Sequence, residues 1–322
     1  MKKFITFLLF LVSLGIFLPA IVRADDNVTL PSPDKQTTSL TIVPSIYESV
    51  VAPGKNEVKS FEIRNGSNFP LPIKCYIRVF GASDETGGVA IEDQIDTNRL
   101  APTSWISAVE PDFILQPKST KELQVNFNPP AALPPGGYYA ILFAEPLLPE
   151  SFLSDNSLVV GGRIGSLLFL IGPGDIHEKA RIVSFDLPKF FWSNQSSGAN
   201  IRFENQGNIH LKPSGKIIVT NLISRHSQTV DIPEFTVLPG KIRKENIDIT
   251  GLKWPGVYRV ELTLSYGQDK TSIRSAATFY YLPLVQIIVI LLMVTLAIVL
   301  ISHKSRKRIL KALRVVVRGE KA

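Results

Sequence analysis

The side chains with the most reactive potential in this chain are few and widely separated. The histidines before the C-terminal segment are His177, His210 and His226, and none belongs to an HExxH pattern, which would set two imidazoles on one face of a helix around a metal. Ser32-Pro33-Asp34-Lys35 and Ser154-Asp155-Asn156 spell two fragments of a serine acyl-transfer signature, but the first lies in a Pro-rich stretch and no Lys-Thr-Gly follows. Gly161-Gly162-Arg163-Ile164-Gly165 would cradle a phosphate only ahead of a helix, and a β-type apolar run follows instead. An acid-rich stretch holds Asp84, Glu85, Glu92, Asp93 and Asp96 without a basic residue. Oxygen ligands of that kind suit calcium, but their spacing fits no defined calcium loop, so a solvated acidic loop is expected. The chain is therefore read as a non-enzyme, with no catalytic residue, cofactor or metal, and a cryptic envelope enzyme is kept only in reserve.

Binding chemistry is better represented. Phe190-Phe191-Trp192 follows Pro188, and three consecutive aromatics on a strand cannot all face inward. An exposed ring there would stack on a sugar or anchor a partner; packing against a neighbouring domain is the expected alternative. Leu147, Leu148, Phe152 and Leu153 pose the same choice between a partner contact and a covered hairpin. Cys75 has no other cysteine to pair with and sits among alternating apolar residues from Ile73 to Val79, so it is expected in a sheet core. Three glycosylation sequons, at Asn27, Asn65 and Asn194, carry little weight on a bacterial reading.

The elements that must position these residues are short β-branched and aromatic runs broken by Pro-Gly, Asn-Gly and Gly-Gly, from about Ser39 to Tyr281. The runs 40–43, 57–64, 73–80, 120–127, 137–143 and 163–171 read as one sandwich. A second is read from 180–187, 199–204, 215–222, 228–232, 241–247, 256–266 and 272–280. An internal repeat supports two related domains. Phe61 to Asn68 matches Ile201 to Asn208, each an alternating strand running into a turn at Asn65 or Asn205. Ile114 to Pro117 matches Thr236 to Pro239, and Pro135-Gly136-Gly137-Tyr138 matches Pro255-Gly256-Val257-Tyr258. Asn and Gly tolerate positive φ at tight turns, Pro117 and Pro239 suit strand edges, and Tyr138 and Tyr258 suit tyrosine corners. The longer spacing in the first copy implies an insertion over about 81–105.

The two ends set the expected topology. Residues 1–24 read as a signal peptide, with a basic start, an apolar run and Val22-Arg23-Ala24 as cleavage site. Residues 25–38 read as a linker, 39–175 and 176–281 as the two domains, and 282–302 as one uncharged transmembrane helix. The tail 303–322 holds eight Lys and Arg against Glu320 alone, which equals the net charge of +7 for the whole chain. Positive residues stay on the cytoplasmic side, so the domains are expected outside the cell. The basic balance belongs to that tail and implies no nucleic-acid partner. Ile309, Leu310, Leu313, Val316 and Val317 would also let the tail lie on anionic lipid, although a stop-transfer anchor is the simpler reading.

Asn205-Gln206-Gly207-Asn208, Pro213-Ser214-Gly215, Val237-Leu238-Pro239-Gly240 and Trp254-Pro255-Gly256-Val257-Tyr258 resemble the Gram-positive WxL-interacting proteins, as does the junction from Gly162 to Gly174. The resemblance implies a first domain contacting peptidoglycan and a second binding WxL-type surface proteins or host proteins. A wider resemblance is to pilus-chaperone-like and major-sperm-protein-like domains, although their paired Arg and Lys cannot be placed here. The expected fold is all-β, two tandem Ig-like β-sandwich domains plus a C-terminal single transmembrane helix. The expected role is a membrane-anchored surface binding or scaffold protein; the alternative is a membrane-tethered chaperone or assembly factor for secreted proteins.

Overall fold

The computed structural model describes residues 38–92, 101–147, 162–192, 197–284 and 287–298. Between residues 40 and 281 they form an all-β chain folded as two immunoglobulin-type sandwiches. In the first, one sheet has the order β1 (Leu40–Val43), β3 (Glu57–Asn65), β8 (Thr120–Phe127) and β6 (Ile106–Ala108). The facing sheet runs β2 (Ile46–Val50), β10 (Ile164–Gly172), β9 (Gly136–Pro146), β4 (Leu71–Ala82) and β5 (Val89–Glu92), with β7 (Asp112–Leu115) also on β4. Alternation places Phe61, Ile63, Leu123 and Val125 of one sheet against Ile73, Cys75, Leu142 and Leu168 of the other, all buried.

The second sandwich has β11 (Ala180–Asp186), β13 (Ser197–Asn205) and β16 (Ile242–Ile249) in one sheet. The other runs β12 (Phe190–Phe191), β18 (Thr271–Tyr281), β17 (Gly256–Tyr266), β14 (Ser214–Asn221) and β15 (Ser227–Ile232). Its core is built from Ile201, Phe203, Ile217, Val260, Leu262 and Phe279.

The repeat in the sequence extends to a feature that residue patterns do not display. In each sandwich the first strand changes sheets. β1 pairs antiparallel with β3, and β2 then lies parallel to the last strand, β10. Likewise β11 pairs with β13, and β12 then lies parallel to β18. β2 and β12 were not foreseen: the apolar and polar residues of Ile46 to Val50 do not alternate, although their burial does, and β12 has two residues.

Of the predicted span, residue 284 and residues 287–298 are helical, with exposed Ile, Leu, Val and Met side chains. Among the described residues no helix is long and apolar enough to cross a membrane; residues 285–286 and 299–302, together with the basic tail and the N-terminal segment, lie outside them.

Candidate functional site: the cleft and edge strand at the domain junction

In each sandwich the Asn and Pro landmarks of the repeat meet at one end, and the Pro-Gly–Tyr landmark closes the other. The buried Asn65 amide donates to the carbonyls of Phe69, Leu115 and Gln116 at 2.8, 3.1 and 3.1 Å, and its oxygen accepts from the Ser67 amide. Asn205 does the same, donating to Ile209 and Val237 at 2.8 Å and accepting from Gly207. Each Asn thus ties its own turn to the residues just ahead of Pro117 or Pro239. The expected positive φ at these Asn residues is not found; that conformation falls instead on Lys118 and Gly240, which follow the two prolines. Ser119 and Lys241 amides close the turns onto Gln116 and Leu238, each at 3.2 Å, as a type II turn requires. Gly136 and Gly256 do take positive φ, +135° and +145°. Two residues on, the hydroxyls of Tyr138 and Tyr258 donate to the Pro134 and Trp254 carbonyls at 2.8 and 2.7 Å, the tyrosine corners the sequence suggested.

The Asn205 and Pro239 turns lie among the upper loops of the second sandwich, which meet the outer face of the first. Phe80, Ile141, Phe143 and Phe169 form a buried apolar layer on that face, and Leu238 packs against it. Beside it, His210 is buried with its side chain 2% exposed, and its Nε2 lies 2.5 Å from Glu48 Oε1 on β2. Lys212 bonds the other oxygen of the same carboxylate. The Tyr139 hydroxyl lies 3.4 Å from His210 Nδ1, and Phe169 packs on the ring at 4.9 Å between centroids. Burial holds the His210 imidazole below its usual pKa, against the pull of Glu48. Burial alone would raise Glu48, yet the bonds from Lys212 and His210 outweigh it and its carboxyl is lowered. Both directions fit a neutral imidazole donating to an ionised carboxylate. Further along, Arg202 makes a bidentate pair with Glu85, the Lys244 amide donates to the Glu85 carbonyl at 2.6 Å, and the Gly137 amide donates to the Asn208 carbonyl at 2.8 Å.

Two clefts flank this clasp. An apolar one of about 210 Å³ is lined by Ile46, Phe80, Leu167, Phe169, Leu238 and Arg243 among others. A wider, polar one of about 790 Å³ opens past Glu48, Val50, Lys212, Glu178, Glu234 and Asp269. Strand β2 separates them. Ser45 accepts from Leu167 and Val51 donates to Ile171, so the odd-numbered backbone groups face β10. By strand alternation those of Ile46, Glu48 and Val50 face outward. Among the described residues β2 ends its sheet, and Ile46 and Val50 are exposed. The site is thus an open β-edge with β-branched side chains, running between an apolar and a polar cleft. Nothing in the sequence marked it, because the partners of β2 and of His210 lie more than 100 residues away.

The other candidate residues do not converge. Asp84 accepts from Thr86 within its own loop and Glu85 is committed to Arg202. Glu92 pairs with Val79 through its backbone, and Asp93 and Asp96 lie outside the described residues, as do Phe152 and Leu153. Among the described residues no three His, Cys, Asp or Glu are placed to share a metal. Cys75 is buried, and desolvation pushes its thiol up to about 12. Phe191 is buried but Phe190 and Trp192 are exposed; packing against the first domain, the expected cover, does not occur, since β12 sits at the opposite end of the second sandwich from the clasp.

No family model and no curated protein matches the chain. Among solved structures it is similar to the class 5 fimbriae chaperone CfaA, at 14% identity and a TM-score of 0.40, over 76% of this chain and 100% of that one. It is also similar to the CsuC-CsuE chaperone-tip adhesion subunit pre-assembly complex of Acinetobacter baumannii, at 12% identity and 0.39, over 76% and 99%. For the E. coli chaperone DraB the values are 12%, 0.35, 77% and 97%. Likeness at this level leaves function to the chain's own residues.

Proposed function

We propose that this protein is a membrane-tethered assembly factor of the cell envelope. It holds an extended segment of a secreted or surface protein against the open edge of β2. The supporting observation is the set of outward-facing backbone groups of Ile46, Glu48 and Val50, flanked by clefts of opposite polarity. A guest strand gains its affinity from main-chain hydrogen bonds there, while side chains on one face enter the apolar cleft beside Phe80 and Phe169. The uncharged stretch 282–302 and the basic residues after it supply the tether and its orientation. The client class agrees with the resemblance to WxL-interacting proteins, in which a surface protein is the partner.

The test is photo-crosslinking from Ile46 and Val50 in the full-length, membrane-inserted protein. Capture of several incompletely folded secreted proteins, abolished by Val50→Pro, is the expected outcome. Capture of one folded surface protein, equally with and without Val50→Pro, would favour a static scaffold and exclude strand pairing at β2.

A further inference from the structure

The lower end of the second sandwich, the end from which residues 282–302 depart, gathers nearly all of the large exposed apolar side chains of that domain. Phe190, Trp192 and Tyr280 are 47%, 49% and 48% exposed. They form one continuous stack, with Phe190 on Trp192 at 5.6 Å and 17° and on Tyr280 at 5.3 Å and 23°. Trp254 and Ile223 are 61% and 74% exposed. Register brings these groups to the same end. β12 lies beside the last residues of β18, Gly256 is opposite Tyr281, and Asn221 is opposite Tyr258. The Ile223 side chain reaches to Gly256, and the Asn221 amide donates to the Trp254 carbonyl at 3.4 Å.

The same loops carry Lys189, Arg225 and Lys253, all exposed, and no acid occurs in 187–192, 222–226 or 250–255. The exit of the chain is also fixed in place. The Leu282 amide donates to the Phe191 carbonyl at 2.8 Å and the Leu284 amide to the Trp192 carbonyl at 3.2 Å. Two residues, Leu282 and Pro283, separate the strand from the helix that begins at Leu284.

We infer that this end of the domain rests in the lipid–water interface of the outer leaflet of an anionic membrane, with the aromatic stack and the Ile223 and Trp254 loops at headgroup depth. This inference rests on the membrane tether proposed above. The argument is one of length. At ~1.5 Å per residue, a helix running from Leu284 through the uncharged stretch to residue 302 would be about 28 Å long, which the ~30 Å hydrocarbon layer uses in full. The start of the helix must then lie at the surface, and a connection of two residues spans ~7 Å at most, so the sandwich cannot stand clear. Amphipathic Trp and Tyr rings favour that depth, and Lys and Arg beside them meet anionic headgroups. A protein partner on the same patch would have to displace lipid already held there by the tether.

The experiment uses the full-length chain reconstituted in phosphatidylcholine–phosphatidylglycerol vesicles. Its three tryptophans are Trp105, buried in the first domain, and Trp192 and Trp254. Variants retaining one tryptophan each, the others changed to Phe, are read against lipids brominated near the headgroup or deep in the acyl chain. The expected result is an about twofold loss of Trp192 and Trp254 emission with shallow bromines, less with deep ones, and none for Trp105. In the unsubstituted chain, aqueous iodide should quench little, which keeps the test independent of how the variants fold. Protein that fails to stay with the vesicles through a carbonate wash would overturn the tether itself. Stable insertion with Trp192 and Trp254 unquenched by lipid and open to iodide would overturn the resting surface and leave the tether intact.

Discussion

Asn65 and Asn205 each cross-link a turn to a loop far along the chain through a fully buried amide. Replacing Asn205 by Ala leaves the Ile209 carbonyl and the Gly207 amide without this partner, while the Val237 carbonyl keeps the Leu211 amide, and each stranded group costs ~1–3 kcal/mol. Asn205→Ala is therefore expected to lower stability by about 3 kcal/mol in urea titration. Asn205→Asp should be worse, because it sets a carboxylate against the Ile209 and Val237 carbonyls. The sequence showed these asparagines as landmarks but misassigned their purpose, because the acceptors beside Pro117 lie 50 and 51 positions from Asn65. His210 carries a different expectation. Its folded pKa lies below the ordinary 6.5, so between the two values the unfolded chain binds a proton that the native site refuses. Its contribution is complete above pH 6.5 and declines as pH falls through that value toward the folded pKa. Glu48, also lowered from 4.5, adds a loss of the same sign at lower pH. Thermal midpoints should fall on acidification below about pH 6.5, and His210→Phe should flatten that part of the profile while Lys212 and Glu48 remain paired.

At the scale of elements, β2 separates a strand's internal and external hydrogen bonds by residue parity. Proline at Ser49 removes a donor directed at β10 and should destabilise the first sandwich by ~1–3 kcal/mol, the cost of the carbonyl it leaves unpaired. Proline at Val50 removes a donor directed outward, so the midpoint in urea should move much less. Equal losses for the two variants would show that the assigned edge is wrong. Strands with a run of alternating apolar residues on one buried face, such as Phe61 and Ile63 of β3, Ile201 and Phe203 of β13 and Tyr258 to Tyr266 of β17, were readable from sequence. β2 was not, because Tyr47 supplies its ring contacts with Phe61 and Phe127 while Ile46 and Val50 point away from the core. The same limit hid the exposed end of the second domain: Phe190-Phe191-Trp192 was legible as an aromatic run, but its stacking on Tyr280 depends on a parallel pairing 90 residues distant.

The whole molecule depends on how firmly the two sandwiches are clasped, since a client strand on β2 would meet both clefts. The Arg202–Glu85 pair is partly exposed, and solvent-screened pairs of this kind contribute little alone. The contact of Leu238 with the Phe80–Phe169 layer and the His210–Glu48–Lys212 cluster are buried or shared by several groups, so they carry most of the junction. The distinction is measurable through spin labels on cysteines introduced at Lys55 and Lys216, both exposed and in different sandwiches. Cys75 stays silent in such labelling because its thiol is buried and held up to about 12. Arg202→Ala alone should leave the inter-label distance distribution narrow. Adding Leu238→Asp and His210→Ala should broaden it, because an unpaired charge then faces the apolar layer and Glu48 loses its partner from His210. If Arg202→Ala by itself broadens the distribution, the ion pair rather than the apolar contact sets the angle between the domains, and client binding at β2 would then weaken with added salt as the pair is screened.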